Sequence, residues 1–266
     1  MLRDITIGQY YPGDSVIHRL DPRVKLMGAL TFIISVFLFD SIPGFILVTL
    51  FMVACIRLSK VPFKFMVKGL KAIVVILVMT GIFNLFLTPG EPLWKFGFLK
   101  ITERGLLNTG YMLVRLSYLI IGTSMMTLTT TPTRLTDGME TGLRFLKVVK
   151  VPVHEISMMM SIALRFIPIL IEETDKIMKA QMARGADFET GNFIQRIKNM
   201  IPLLVPLFVS AWRRAMDLAM AMEARCYNGG EGRTCMKPLK YQNRDRIAYA
   251  IMVLYLAAMI GLKIWL

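Results

Sequence analysis

Long apolar stretches alternate with short polar breaks along most of this chain, at about the length of membrane-crossing helices. The apolar stretches are Leu26–Phe39, Phe45–Ile56, Ala72–Leu87, Leu106–Thr131 and Ile247–Leu266. A helix that crosses a bilayer needs about 20 apolar residues. The pattern therefore predicts five transmembrane helices, the first two of them short.

Turn and cap residues mark where these helices begin and end. Asp21-Pro22 places proline at the first position of a helix with aspartate as its cap. Thr88-Pro89-Gly90 closes the third stretch, and residues 91–105 are predicted to form a loop.

Residues 132–246 have a different pattern, which predicts two long amphipathic helices near 152–185 and 192–228. Apolar positions recur there every three or four residues, which is the helical period. The predicted stripes comprise Met160, Ala163, Leu164, Ile167 and Ile171 in the first helix, and Leu204, Phe208, Trp212, Ala215 and Ala219 in the second. A charged side chain inside a bilayer costs about 2.5–3.5 kcal/mol. Because an acidic cluster at 172–175 and Arg213-Arg214 interrupt these helices, we expect them to lie at or below the inner membrane surface.

Composition and charge agree with a membrane protein. The chain has 266 residues, 55% of them hydrophobic, with a formal net charge of +14, whereas soluble domains average roughly 45–50% apolar residues. Lysine and arginine are concentrated in the N-terminal segment, in residues 57–71 and in 132–246. Since positive loops stay in the cytoplasm, we predict an all-α polytopic protein with a cytoplasmic N-terminus. Its domains would be a four-span region at 1–131, a cytoplasmic region at 132–246 and a C-terminal span at 247–266.

The two amphipathic helices end in similar triplets, Ala183-Arg184-Gly185 and Ala224-Arg225-Cys226. A single arginine at a helix C-terminus is explained by the helix dipole alone. The repetition at two consecutive helices indicates a shared binding role. Small neighbours leave room around the guanidinium group, whose planar fork binds carboxylates in a bidentate manner.

These ends, together with an N-terminal motif, resemble the transmembrane T component of energy-coupling factor transporters (the CbiQ/EcfT family, including related cobalt and nickel subunits). The motif comprises Gly8-Gln9-Tyr10, Asp14-Ser15 and the run from His18 to Lys25. One departure is Cys226, where glycine is common.

The resemblance implies a multi-subunit importer in a bacterial cell membrane. Two cytoplasmic ATPases of the ATP-binding-cassette type, EcfA and EcfA', would bind Ala183, Arg184 and Gly185 and Ala224, Arg225 and Cys226. A separate S component would capture a vitamin or other micronutrient. The apolar stripes would pack on the S component or on the membrane domain. ATP and Mg would be held by the partner subunits, and the resemblance implies neither a cofactor nor a metal in this chain.

Other functions stay open at this point. A T subunit dedicated to cobalt or nickel is the nearest alternative, and a polytopic membrane enzyme is a more distant one. His18 and His154 are the only histidines and show no metal-ligand spacing, no GxxxxGK[ST] motif is present, and Asp137-Gly138 has the character of a turn. Nucleic-acid binding is disfavoured because the basic residues are spread along loops without interleaved aromatics. A channel would need a polar face through several spans, which the first three do not offer.

Overall fold

A computed structural model of the chain describes residues 10–39, 41–89, 92–96, 99–188, 192–229 and 239–265. Within these ranges the fold is built from eight α-helices: α1 (Pro22–Phe37), α2 (Ile42–Ser59), α3 (Phe63–Leu87), α4 (Glu103–Thr129), α5 (Pro132–Gly142), α6 (Val153–Ala183), α7 (Phe193–Ala224) and α8 (Asn243–Trp265). A short 3₁₀ helix, Arg144–Val149, precedes α6. The predicted all-α architecture is confirmed, and Gly8 and Gln9 of the N-terminal motif lie outside the described residues.

A two-stranded hairpin between α3 and α4 is the exception to the helical fold. Strand β1 (Pro92–Phe96) pairs antiparallel with β2 (Leu99–Thr102). The prediction of an irregular loop at 91–105 is wrong for these residues, because aromatic and β-branched residues at this site favour extended pairing. Helix α4 follows at once, and its cap Thr102 accepts a hydrogen bond from the backbone N–H of Gly105 at 3.0 Å.

Several helices are long and apolar enough to cross a membrane. Among the described residues these are α2, α4, α6 and α8, and α3 contains a shorter apolar stretch, Ile73–Phe86. Helix α1 has 16 residues and so rises about 24 Å, less than the roughly 30 Å of a bilayer core. A multi-pass membrane protein follows. Helix α6 meets the same length and composition criterion, whereas the charge argument assigns it to the inner surface, and that assignment stays a prediction.

The chain divides into two compact units. The described part of the first unit comprises residues 10–141 and 239–265, and that of the second comprises residues 142–188 and 192–229. The first unit includes α5, beyond the predicted boundary at 131, because α5 packs on the start of α1. A Cβ at Gly138 would lie 2.9 Å from Cβ of Pro22. Asp137 and Gly138 lie within α5, so their interpretation as a turn is wrong.

The apolar core of the first unit lies among α1, α2, α3, α4 and α8. Its most buried members are Val36, Val48, Met66 and Met259. The ring of Phe32 in α1 lies so close to α4 that a Cβ at Gly122 would overlap it. One buried hydrogen bond also crosses this core, 2.7 Å between the hydroxyls of Ser35 and Tyr255.

A polar junction ties the start of α1 to the start of α8. Asp21 caps α1 as predicted, its carboxylate accepting from the N–H of Arg23 at 2.9 Å. The buried carboxylate of Asp245 accepts from the N–H of Asp21 at 2.9 Å and from the N–H of Gln242 at 2.7 Å. The guanidinium of Arg23 lies 4.9 Å from the centre of the Tyr241 ring. Much of the N-terminal motif therefore closes the helix bundle.

His18 belongs to the same end of the first unit and is buried. Its Nδ1 lies 2.7 Å from Oγ of Ser15, and its Nε2 lies 3.0 Å from the carbonyl oxygen of Tyr11. A neutral ring that donates from Nε2 and accepts at Nδ1 satisfies both contacts, and burial lowers the pKa of His18.

Lys25 lies beside this group and contacts the end of α4. Its ammonium donates to the carbonyls of His18 at 3.2 Å and Thr129 at 2.8 Å. Because Thr129 is the last residue of α4, the charge lies at the negative end of that helix dipole.

Candidate functional site

Helix α6 ends in a two-bond cap that centres on Arg184. The N–H of Ala186 donates to the carbonyl of Gln181 at 3.0 Å, and the N–H of Gly185 donates to that of Met182 at 2.9 Å. These are the two bonds of a Schellman motif, which satisfies the free carbonyls of a helix end. Gly185 has a φ of 90°, the left-handed conformation that the motif requires.

Helix α7 ends in the same motif at Arg225. The N–H of Tyr227 donates to the carbonyl of Met222 at 3.0 Å, and the N–H of Cys226 donates to that of Glu223 at 2.8 Å. Cys226 takes the left-handed position with a φ of 57°. Arg184 and Arg225 are the C-caps of their helices, so the two arginines occupy one position in two copies of the same helix end.

Both arginine side chains are available to a partner. All three residues of each triplet are exposed, and the described residues offer neither guanidinium group an ion pair or a hydrogen bond. An exposed arginine on a capped, ordered backbone loses little backbone entropy on binding, and its fork suits a carboxylate.

Contacts between α6 and α7 place the two ends far apart. Glu173 of α6 accepts a hydrogen bond from Ser210 of α7 at 2.9 Å and forms a short ion pair with Arg214. Further along α6, the amide of Gln181 donates to the carbonyl of Pro202 at 3.2 Å. Later residues of α6 thus contact earlier residues of α7, so the helices run in opposite directions. At 1.5 Å rise per residue, Arg184 near Pro202 and Arg225 at the far end of α7 are separated by roughly 35 Å.

Comparison with known proteins places the chain in a family. The family model described as CbiQ, cobalt transport protein, matches residues 13–236. The energy-coupling factor transporter transmembrane protein EcfT of Clostridium kluyveri is 53% identical over 267 residues, which cover 100% of this chain and 99% of that protein. The EcfT proteins of Thermosediminibacter oceani and Bacillus subtilis are 51% and 48% identical, each match covering 99% of this chain and 100% of the relative. The chain belongs to the EcfT family. It is therefore a multi-pass membrane component of an energy-coupling factor transporter.

In this EcfT-family chain the predicted stripe of α7 divides into two parts. Leu204, Phe208 and Trp212 are exposed by 53%, 67% and 61%, which is far more than a packed core allows. Ala215 and Ala219 instead line a groove of about 260 Å³ between α6 and α7. The stripe predicted for α6 lies more evenly at the surface, with Met160 and Ala163 exposed and Leu164, Ile167 and Ile171 half-buried.

The face of α6 that packs against α7 was not predicted. It contains Ile162, Phe166 and Leu170, which line the groove opposite Ala215 and Ala219, and Glu173 one turn further on. These positions are spaced by four, four and three residues, so the period of 3.6 was available as a signal. The predicted stripe of α6 lies beside these positions and has the same period. The two sets of residues together are wider than one face of a helix.

A functional site could also hold a metal ion. Within the part of the chain that the structure describes, no group of three or more His, Cys, Asp or Glu side chains is placed to hold a metal ion.

Proposed function

We propose that this chain is the coupling subunit of an energy-coupling factor importer for a vitamin or another micronutrient. Two cytoplasmic ATPase subunits bind the helix ends at Arg184 and Arg225, and their ATP-driven motion passes through α6 and α7 to a substrate-capturing S component. ATP and Mg bind to the ATPases, and this chain carries out no chemistry of its own. The N-terminus and both helix ends face the cytoplasm.

The duplicated helix end is the observation that carries the proposal. The same backbone cap occurs twice, each time with an arginine that pairs with none of the described residues, at two positions roughly 35 Å apart. Two like sites at that separation fit two homologous partner subunits, each with a carboxylate-lined groove. Removing one partner of such an interfacial charge pair can cost roughly 2–5 kcal/mol.

Charge reversal tests the docking role. Arg184→Glu and Arg225→Glu should each weaken co-purification of the ATPases and abolish substrate uptake. Arg213→Glu is the matched control, because Arg213 is also an exposed arginine of α7 but lies away from both ends. Normal assembly and uptake in both tip variants would overturn the proposal, as would an extracellular location of the tips in a cysteine-accessibility assay.

The exposed apolar residues of α6 and α7 support the contact with an S component. Leu204, Phe208 and Trp212 form a continuous apolar face on α7, since they recur every four residues. A face of this kind on a membrane-transporter subunit fits another apolar protein surface. Leu204→Ser, Phe208→Ser and Trp212→Ser should reduce uptake while the ATPases still co-purify.

Methionine adds a specific feature to these helices. Met159, Met182, Met216 and Met220 are each exposed by at least 50%. Flexible thioether side chains suit surfaces that bind several unlike partners, which favours docking of more than one S component over gap filling. Replacing these methionines by leucine should reduce the uptake of two different vitamins unequally, and an equal loss would contradict a promiscuous surface.

A dedicated cobalt transporter is the second candidate, because the matching family model is described as cobalt transport protein. The EcfT relatives match this chain over their full length, and they favour the first candidate. Mass spectrometry of the proteins that co-purify with the chain distinguishes the two. Several vitamin-specific S components would support a shared subunit, and a single metal-specific partner would support a dedicated one.

A further inference from the structure

The first unit contains a cleft of about 330 Å³ among α1, α2, α4 and α8. Its wall is almost entirely apolar, with Phe32, Phe51 and Met125 among the lining residues. The lining along α1 runs from Val24 to Phe32, and along α8 from Arg244 to Met252. Eight residues of helix make the cleft about 12 Å deep, enough for the first part of a fatty acyl chain.

Two cations lie at one end of this cleft. Lys25 and Arg244 both line it, and no lining residue is acidic. They lie together because the Asp21–Asp245 hydrogen bond holds the starts of α1 and α8 side by side.

Neither cation is neutralised by a described carboxylate in direct contact. Lys25 donates to two backbone carbonyls, and Arg244 donates to the side-chain oxygen of Gln242. Asp245 is the neighbour of Arg244 in the chain, but its oxygens accept from the backbone at Asp21 and Gln242. The described residues therefore leave both cations at this end of the cleft without a carboxylate in hydrogen-bond contact.

The cleft also opens to the surroundings of the helix bundle. Ile247 and Ile251 on α8 and Leu58 on α2 line it and are exposed by 61%, 53% and 53%. Leu58 lies near Arg57 and Lys60 at the end of α2, so the basic end of the cleft is on the side that the distribution of positive charge assigns to the cytoplasm.

We propose that this cleft binds one anionic phospholipid, with an acyl chain between the four helices and the phosphate beside Lys25 and Arg244. Apolar depth and a cationic rim match the two parts of such a lipid, and basic pockets between transmembrane helices commonly bind anionic headgroups. This site is independent of the coupling function, since it involves neither α6 nor α7.

Native mass spectrometry of the full-length chain in detergent tests the proposal, with titration of phosphatidylglycerol and, separately, phosphatidylcholine. The wild type should retain one phosphatidylglycerol and bind phosphatidylcholine more weakly. Arg244→Gln should weaken phosphatidylglycerol binding about fivefold, because one cation near a membrane surface contributes about that factor to the affinity for anionic lipid. Ala248→Phe, which fills the cleft from α8, should remove the bound lipid.

Two controls on the same helix separate binding from folding. Arg246→Gln and Ala250→Phe make the same chemical changes at exposed positions that do not line the cleft, and both should bind lipid like the wild type. A thermal melt without added lipid verifies that each variant is folded. Wild-type binding by Ala248→Phe, or equal affinity for the two lipids, would overturn the proposal.

Discussion

Cys226 stands at the position in the α7 end that Gly185 occupies in the α6 end. Both residues are left-handed, with φ angles of 57° and 90°. The same pair of hydrogen bonds surrounds each of them. Only the cysteine has a Cβ, which meets the neighbouring carbonyl in this conformation.

Replacing Cys226 by glycine should therefore stabilise the end of α7. Glycine removes the left-handed strain but gives the unfolded chain more conformational freedom. The net increase in the free energy of unfolding should be about 0.5–1 kcal/mol. Amide hydrogen exchange from Met222 to Tyr227 should slow, while ATPase co-purification stays unchanged because Arg225 is retained. The reverse change, Gly185→Cys, should speed exchange at the end of α6, and faster exchange in Cys226→Gly would contradict this account.

Gly122 should tolerate no side chain while Phe32 is present. The added Cβ of Gly122→Ala would overlap the Phe32 ring, and overpacking of this kind typically costs about 1–3 kcal/mol. The thermal midpoint should fall, and Phe32→Leu should recover part of the loss. Gly110→Ala is the matched control in the same helix, because nothing lies within 4 Å of its added Cβ. An equal midpoint for the two alanine variants would refute the close approach.

Asp245→Asn should weaken the junction between α1 and α8. The carboxylate accepts from two backbone N–H groups, and an amide can offer an oxygen to only one of them. The other donor is left unsatisfied at a cost of about 1–3 kcal/mol. Thermal unfolding should begin at lower temperature, whereas Asp217→Asn, at an exposed position on α7, should leave the transition in place.

The Glu173–Arg214 ion pair should matter more for transport than for stability. Both side chains are partly exposed, by 24% and 40%, and ion pairs screened by solvent contribute little to stability. Glu173→Arg and Arg214→Glu should each lower coupled uptake, because like charges then meet between α6 and α7, and the double exchange should restore part of it. ATPase co-purification serves as the control readout. A double variant as impaired as the sum of both single variants would argue against direct pairing.

The burial of His18 predicts a pH dependence of stability. Its pKa is lowered in the folded chain, so the unfolded chain binds the proton more readily, and stability falls as pH drops below the ordinary histidine pKa of about 6.5. Thermal midpoints between pH 8 and pH 5 should fall more steeply for the wild type than for His18→Gln, which can still donate to Tyr11. His154 is present in both proteins, so parallel slopes would contradict the assignment.

Local signals made much of the fold predictable. Asp21-Pro22 begins α1, Gly185 follows α6, and the apolar periods locate the long helices to within a few residues. Each of these features depends on contacts within one or two turns. The two arginine ends were found for the same reason, since a helix cap is encoded by its own few residues.

Long-range relationships could not be obtained in this way. Asp245 contacts Asp21 across 224 positions, and Glu173 contacts Arg214 across 41. No periodicity connects residues so far apart. Asp245 did carry one local signal, an acid three residues after the cap Gln242, but that pattern indicates only where α8 begins. Helix α5 was missed because Gly138 resembles a turn residue until its close approach to Pro22 is known.

The Asp21–Asp245 bond also has a consequence for biosynthesis. Its acceptor is added 224 residues after its donor, which takes a ribosome roughly 10–45 s at ordinary elongation rates. During that interval the start of α1 has no acceptor for its buried N–H group, and the helices of the first unit wait in the bilayer for their last member. A nascent chain that stops before α8 therefore leaves an incomplete bundle, which quality-control proteases can recognise.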